Sequence, residues 1–229
     1  MKNKEYAIIV AGGKGTRLKN NIPKQFLELN GLPVLMHTLQ AFFRYNNNLT
    51  LVLVLPEDDL QLWNELCKKH SFHKPIIIQK GGETRFQSVE NGLTKIEDDG
   101  LVAIHDGVRP LVSEEIIRTS FALAASNKAA VAAIPLKDSI REMQNPGDIS
   151  SSASVDRSKF RIIQTPQTFE IGLIKKAYQQ KEDSSFTDDA SVVEKAGHAI
   201  TLFEGSYENI KITTPEDLLI AEALLRARK

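Results

Sequence analysis

Five short runs that are apolar almost from end to end constrain this chain more than any other feature. They lie at 6–10, 50–55, 75–79, 101–105 and 129–134. A strand with one wet face alternates apolar and polar residues, whereas a run without alternation has both faces covered. Longer segments with helical spacing lie between them. Pro33 suits a first helical turn and sets Leu35, Leu39 and Phe42 on one face. Segments 58–69 and 84–96 follow the same pattern. Ser113 before Glu114 and Glu115 marks a helix start, with acids at the positive end of the dipole. Thr214-Pro215-Glu216-Asp217 marks another, for a helix reaching about 228. The alternation predicts an α/β protein: three α/β/α layers around a mostly parallel, mixed sheet. A length of 229 residues suits one domain over 1–229.

The stretch 137–162 breaks the rhythm. It has a Pro146-Gly147 turn between two short alternating flanks and reads as a β-arm projecting from the sheet. An isolated hairpin is marginal in water, so the arm needs a surface to pack on, and a second copy of the chain is one candidate.

Charge and cysteine content narrow the function. The chain has 29 basic and 29 acidic side chains, a balance that argues against a nucleic-acid binder. A local cluster of cations for a small phosphorylated ligand remains open. The single Cys67 cannot form an internal disulfide. The longest apolar stretch, near 129–136, falls far short of the roughly 20 residues that span a bilayer. The N-terminus has no signal-peptide pattern, so the expectation is a cytoplasmic protein without a membrane partner.

The first run leads directly into Ala11-Gly12-Gly13-Lys14-Gly15-Thr16-Arg17-Leu18. In open α/β sheets ligands bind beyond the carboxyl ends of the strands, and glycines there let backbone N–H groups approach phosphate. The dinucleotide fingerprint fails at Leu18, where it needs glycine, which disfavours an NAD-dependent dehydrogenase. The P-loop pattern also fails, because Gly15 follows Lys14 where Ser or Thr is required. Lys14, Arg17 and Lys24 nonetheless gather three cations beside three glycines, which suits phosphate.

Two further loops follow strand candidates. Gly81-Gly82-Glu83-Thr84-Arg85-Phe86-Gln87-Ser88 joins a strand to a helix, and its backbone suits contact with a flat base. Thr84 or Glu83 also suits a helix cap, and Arg85 a brace for the loop. His105-Asp106-Gly107-Val108-Arg109-Pro110 places a carboxylate beside a glycine at a strand's carboxyl end, as a metal or ribose contact requires. His105 itself reads as a core histidine.

These segments, with Pro23-Lys24-Gln25-Phe26, Val155-Asp156-Arg157, Gln164–Phe169, Thr187–Ser191 and Asn209–Asp217, resemble the polyol-phosphate cytidylyltransferases in order and spacing over nearly the whole chain. Within that group the Val-Asp-Arg pattern resembles the members acting on 2-C-methyl-D-erythritol 4-phosphate in the non-mevalonate isoprenoid pathway, rather than those acting on ribitol 5-phosphate. The resemblance implies a Rossmann-like, glycosyltransferase-A-like fold and cytidylyl transfer from CTP to a polyol phosphate with release of pyrophosphate. It implies that Arg17 and Lys24 are catalytic at the α-phosphate. Ala11, Gly12, Gly13, Lys14, Gly15, Gly82, Glu83, Ser88, Asp106 and Gly107 would hold the nucleotide. Arg157, Lys211, Thr187, Ser139 and Arg109 would position the acceptor, Lys211 following a strand and Arg109 and Arg157 reaching across a homodimer formed through the 137–162 arm. Asp106 would contact magnesium or another divalent cation. A nucleotide-binding regulator without turnover is the competing class; loss of Arg17, Lys24 or Lys211 would mark it, and all three are present.

Overall fold

A computed structural model describes residues 3–12, 22–145 and 147–228. Its central sheet has seven strands: β1 (Glu5–Val10), β4 (Thr50–Leu55), β5 (Ile77–Lys80), β6 (Leu101–Asp106), β7 (Ala129–Pro135), β10 (Arg161–Glu170) and β11 (Thr201–Glu204). They lie in the order β11-β7-β10-β6-β1-β4-β5. Every pairing is parallel except those of β10, which runs antiparallel to both β6 and β7. The sheet is therefore mixed through a single reversed strand.

Four of the apolar runs become strands with each face buried under a different set of helices. The fifth departs from the expectation of two covered faces: it forms the edge strand β5, where Ile77 and Ile78 are each 39% exposed. On β1, Ala7 and Ile9 face a cluster with α1 (Val34–Tyr45), α2 (Leu60–Lys69) and α4 (Glu114–Asn127), while Tyr6 and Ile8 face α3 (Arg85–Leu93), α5 (Ile171–Ala177) and α6 (Asp189–Lys195). A third apolar cluster seats α7 (Pro215–Ala227) against Leu29, Val34, Val108, Leu111 and Ile212. Capping follows the sequence: the Ser113 hydroxyl accepts from the Ile116 N–H at the start of α4, and Thr214 with Asp217 forms a capping box on α7. Leu35, Leu39 and Phe42 of α1 are all fully buried.

Two strands of the central sheet, β10 and β11, were not foreseen in the sequence. Pro166 falls inside β10, and a proline argues against a central strand because it cannot donate to the ladder. It is tolerated because the register with β7 shifts between Ile163 and Gln167. The polar residues around it are buried but partnered. Thr168 donates to Ser120, and the Asp106 N–H donates to the Thr165 hydroxyl. The short edge strand β11 has too few residues to stand out. A small antiparallel pair, β2 (Glu28–Leu29) with β3 (Leu32–Pro33), leads into α1.

The irregular stretch contains β8 (Arg141–Met143) paired antiparallel with β9 (Ser152–Ser154), a two-stranded sheet separate from the main one. The reading of 137–162 as an arm needs one correction at its end: Arg161 and Ile162 belong to β10, paired with Pro135 and Ile134 of β7.

Phe42 sits at the centre of the larger apolar cluster, with its ring edge-on to His105 at 5.1 Å. Phe42→Ala removes a fully buried ring and is expected to cost about 3–5 kcal/mol in urea denaturation.

Candidate active site

The carboxyl edges of β1 and β6 and the amino-terminal half of β10 surround one cleft with two lobes. Val10, Ala11, Gly12, Lys24, Gln25 and Val108 line the first lobe. Arg109, Ile163, Gln164, Thr165, Thr187 and Asp188 line part of the second. Arg85, Asp106 and Lys211 line both and form the partition between them.

Asp106 ends β6 and is buried, and three cations converge on its carboxylate. Lys211 Nζ lies 3.0 Å and Arg109 Nε 3.2 Å from Oδ2, and Arg85 Nε lies 3.8 Å from Oδ1. Burial disfavours the charged carboxylate, but Lys211, Arg85 and Arg109 outweigh it and hold its pKa well below the usual range. Gly107 follows, where a β-carbon would lie 2.8 Å from that of Ala11. Only glycine lets the ends of β1 and β6 approach so closely, and the Gly107 N–H donates to the Val10 carbonyl at 2.8 Å.

Arg109 is also buried, and its other arm donates to the Asn209 carbonyl at 2.8 Å. It therefore ties Asp106 to the loop carrying Lys211 within its own chain, which corrects the expectation that it reaches across to a second copy: its guanidinium is buried and already paired here. Lys211 does not follow a strand, contrary to the sequence reading. No strand lies between β11 and α7, and the loop is fixed from within. Ile212 is fully buried and its N–H donates to the Val108 carbonyl. The buried Asn209 side chain donates to the Thr165 carbonyl at 2.9 Å. Tertiary contacts replace a ladder here, which no local pattern reveals.

On the other side, Gly81–Thr84 joins β5 to α3. A β-carbon at Gly82 would lie 2.3 Å from that of Gln87, so glycine is required. The loop's donors turn inward: the Gly82 N–H donates to Ser88 Oγ and the Glu83 N–H to Gln87 Oε1. Ser88 is buried and passes its own hydrogen to the Thr84 carbonyl, while Thr84 caps α3 through the Gln87 N–H. The serine thus braces the turn.

The remaining sequence-derived residues divide into three groups. Lys24 sits on a single 3-10 turn, Lys24–Phe26, at the first lobe. Thr187 lies on the rim of the second lobe. Ser139 and Arg157 are exposed at the base of the arm and line neither lobe of their own chain. Gly13, Lys14, Gly15 and Arg17 lie outside the described residues.

Sequence reading missed Gln164, Gln167 and Asn209. Gln167 of β10 donates to Asp188 and accepts from the Ala190 N–H, so it fixes the start of α6 beside Thr187. The signal available was a polar run in a chain whose other strands are apolar. Among the described residues no group of three or more His, Cys, Asp or Glu could hold a metal by itself. No described helix is long and apolar enough to cross a membrane.

A mixed α/β sheet with a loop-lined cleft and a cluster of cations at its carboxyl edge is the class of architecture that binds small anionic ligands. The family model of IspD, 2-C-methyl-D-erythritol 4-phosphate cytidylyltransferase, matches residues 6–227. A protein of that name from Bacteroides thetaiotaomicron is 48% identical over 222 residues, covering 97% of this chain and 100% of the relative. One from Halalkalibacterium halodurans is 40% identical over 98% of this chain and 99% of the relative. The crystal structure of 4-diphosphocytidyl-2C-methyl-D-erythritol synthase from Anaerococcus prevotii superposes with a TM-score of 0.82 at 30% identity, over 98% of this chain and 99% of that one. This chain belongs to the 2-C-methyl-D-erythritol 4-phosphate cytidylyltransferase family, a family of nucleotidyltransferases.

His105 behaves as the core residue the sequence suggested. It is fully buried, and burial lowers its pKa from 6.5 to about 4. The unfolded chain takes up a proton near pH 6.5 that the folded site refuses until about pH 4. Stability from this group is therefore full above 6.5 and is lost as the pH falls through that window. His37, lowered chiefly by burial, adds in the same direction. Denaturation free energy is expected to fall across this window, and to fall less in His105→Gln.

Proposed function

We propose that this chain transfers a cytidylyl group from CTP to 2-C-methyl-D-erythritol 4-phosphate, releasing pyrophosphate, and so supplies a cytidine-diphosphate intermediate to isoprenoid biosynthesis. The observation that carries the site assignment is the partition of the cleft by Asp106, Lys211 and Arg85 into a lobe under β1 and a lobe under β10. Two anionic substrates need two adjoining compartments with cations between them.

The acceptor's phosphate monoester has a second pKa near 6 and is ionised at neutral pH. No general base is needed to make the nucleophile. The barrier comes from bringing two anions together and from charge building on the α-phosphate and the leaving pyrophosphate, so cations and alignment carry the catalysis. In this reading CTP lies in the first lobe. Gly12, Gly13, Lys14 and Gly15 serve as its phosphate contacts, Ala11 adds a contact to the base, and Arg17 and Lys24 stabilise the in-line transition state at the α-phosphorus. The Gly82 and Glu83 N–H groups are taken within the loop. The loop's carbonyls therefore remain to accept from the cytosine amino group, with Ser88 holding the turn in shape. Gly107 lets the ribose approach the backbone. Lys211 and Thr187 grip the acceptor in the second lobe, and Arg109 holds Lys211's loop in place.

Asp106 suits a divalent cation such as magnesium. It is an ionised carboxylate on the cleft floor, and magnesium is commonly held by one or two carboxylates with substrate phosphates and water completing the shell. A bound cation would neutralise phosphate charge, and Lys211, now 3.0 Å from the carboxylate, would be drawn toward the acceptor's phosphate. The reaction consumes CTP, and we assign it to the cytoplasm.

Arg157 and Ser139 line neither lobe of their own chain, so we assign them to the acceptor site of a neighbouring copy in a homodimer. The arm and its surroundings expose Met143, Ile149, Phe160, Ile162 and Leu202, an apolar surface that a second copy would cover. We take 1–229 as one catalytic domain with the arm as its dimerisation element. Sedimentation velocity is expected to show a dimer, and Phe160→Asp to shift it toward monomer; a monomeric parent chain would overturn the assignment.

The reaction is tested by pyrophosphate release from CTP and magnesium, with methylerythritol 4-phosphate and ribitol 5-phosphate offered in parallel. Release with the first alone is expected. Release with the second alone would reassign the acceptor, and silence with both would overturn the activity. Arg17→Ala and Lys24→Ala are each expected to lower kcat about 100-fold or more while CTP affinity changes less. Equal losses in both quantities would remove them from the transition state.

A further inference from the structure

Arg85 occupies an unfavourable place for a cation. It is the first residue of α3, where the helix dipole is positive and acids are preferred. Its guanidinium is compensated by a carboxylate far away in sequence. Nη1 lies 2.9 Å from Asp189 Oδ1 and Nη2 2.6 Å from Oδ2, a two-pronged contact. Asp189 is fully buried, is the first residue of α6, and accepts a further hydrogen bond from the Tyr178 hydroxyl at 2.6 Å. The Tyr178 ring stacks on Phe86, the residue after Arg85, with centroids 4.5 Å apart. Gln87 adds a second tie, donating to Glu182.

These contacts join the two sides of the cleft. Arg85 directly follows the Gly81–Thr84 turn assigned to the nucleotide, and Asp189 follows Thr187 and Asp188 on the acceptor lobe's wall. The same guanidinium reaches Asp106 at 3.8 Å, so one side chain spans the nucleotide turn, the partition and the acceptor wall. The nucleotide turn is also fixed by its own hydrogen bonds through Thr84, Gln87 and Ser88. The segment around Thr187 is also braced internally, by the Thr187 and Asp188 N–H groups on Ser191 Oγ and by the Ser191 N–H on Asp188, but its placement against the sheet and α3 is held by Gln167 and by this ion pair. Loosening the pair therefore moves the acceptor side more than the nucleotide side.

We propose that Arg85 and Asp189 are a positioning pair for the second substrate, setting Thr187 at the distance from the nucleotide turn that aligns the acceptor phosphate with the α-phosphorus of CTP. The inference rests on the acceptor-lobe reading above. Asp189 and Tyr178 are buried and act through position, whereas Arg85 also lines both lobes; a displacement of about 1 Å at the acceptor is enough to cost a large factor in rate.

The test uses the full chain with Arg85→Lys, which keeps the charge and loses the fork, and Asp189→Asn, which keeps the shape and loses the charge. Tyr178→Phe is the mild third variant, keeping the stacked ring if either of the others fails to fold. The expected result is a fall of about tenfold or more in kcat/KM for methylerythritol 4-phosphate, with kcat lowered, while CTP affinity by titration changes less than about threefold. Unchanged acceptor kcat and kcat/KM in folded variants, or equal changes for both substrates, overturn the proposal. Hydrogen exchange without substrate provides a readout independent of turnover. Amides of 187–191 are expected to exchange faster in Arg85→Lys and Tyr178→Phe, while those of 101–106 keep the parent rates. Unchanged exchange at 187–191 overturns the pair's role. Should the parent chain not turn over this acceptor, the activity reading fails, and the exchange result still decides the pair.

Discussion

The buried Asp106 carboxylate is the interaction around which the active-site end of this molecule is arranged. An ionised carboxylate taken out of water is costly unless paired and hydrogen-bonded. Here its partners come from three separate pieces of chain: Arg109 from the turn after β6, Arg85 from the head of α3, and Lys211 from the loop before α7. Each cation is in turn fixed by something else. Arg109 donates to Asn209, Arg85 pairs with Asp189, and Lys211 stands on a loop pinned by Ile212. The cluster therefore does two jobs with one set of charges. It neutralises a buried group, and it holds a partly exposed lysine at the partition between the two lobes.

The reversed strand β10 is the second element on which the site depends. β10 runs against its neighbours β6 and β7, so its amino-terminal half lies beside the carboxyl end of β6. Reversal brings in Gln164, Thr165 and Gln167 at the carboxyl edge of β6, and these polar residues can be buried only because each finds a partner. The register shift around Pro166 interrupts the ladder with β7 where the cleft opens. Polar strand, bulge and lobe are consequences of one another.

Local chemistry made much of this legible. The apolar runs at 6–10, 50–55, 101–105 and 129–134 correspond to β1, β4, β6 and β7 within a residue at either end, because burial on both faces leaves no other use for such runs. Ser113 and Thr214 mark their helices for the same local reason. Gly82 and Gly107 were read as points of ligand approach; the structure adds that each is required by close packing between neighbouring segments. β10 escaped because its polarity and its proline argue against a strand in isolation. Lys211 was rightly singled out for the cleft but assigned the wrong support.

The sequence by itself determined the layering, the starts of five helices (though not of α5 and α6) and the family, because these depend on side-chain periodicity, capping chemistry and motifs a few residues long. Only the tertiary structure decided which charges meet. Arg85 and Asp189 are 104 positions apart, and Lys211 and Asp106 are separated by 105. No local pattern encodes such pairs; they exist because a sheet that places the ends of β1, β6 and β10 side by side also brings their loops within hydrogen-bonding distance. The carboxylate is written in the sequence, but its ionised, three-cation environment is a property of the fold.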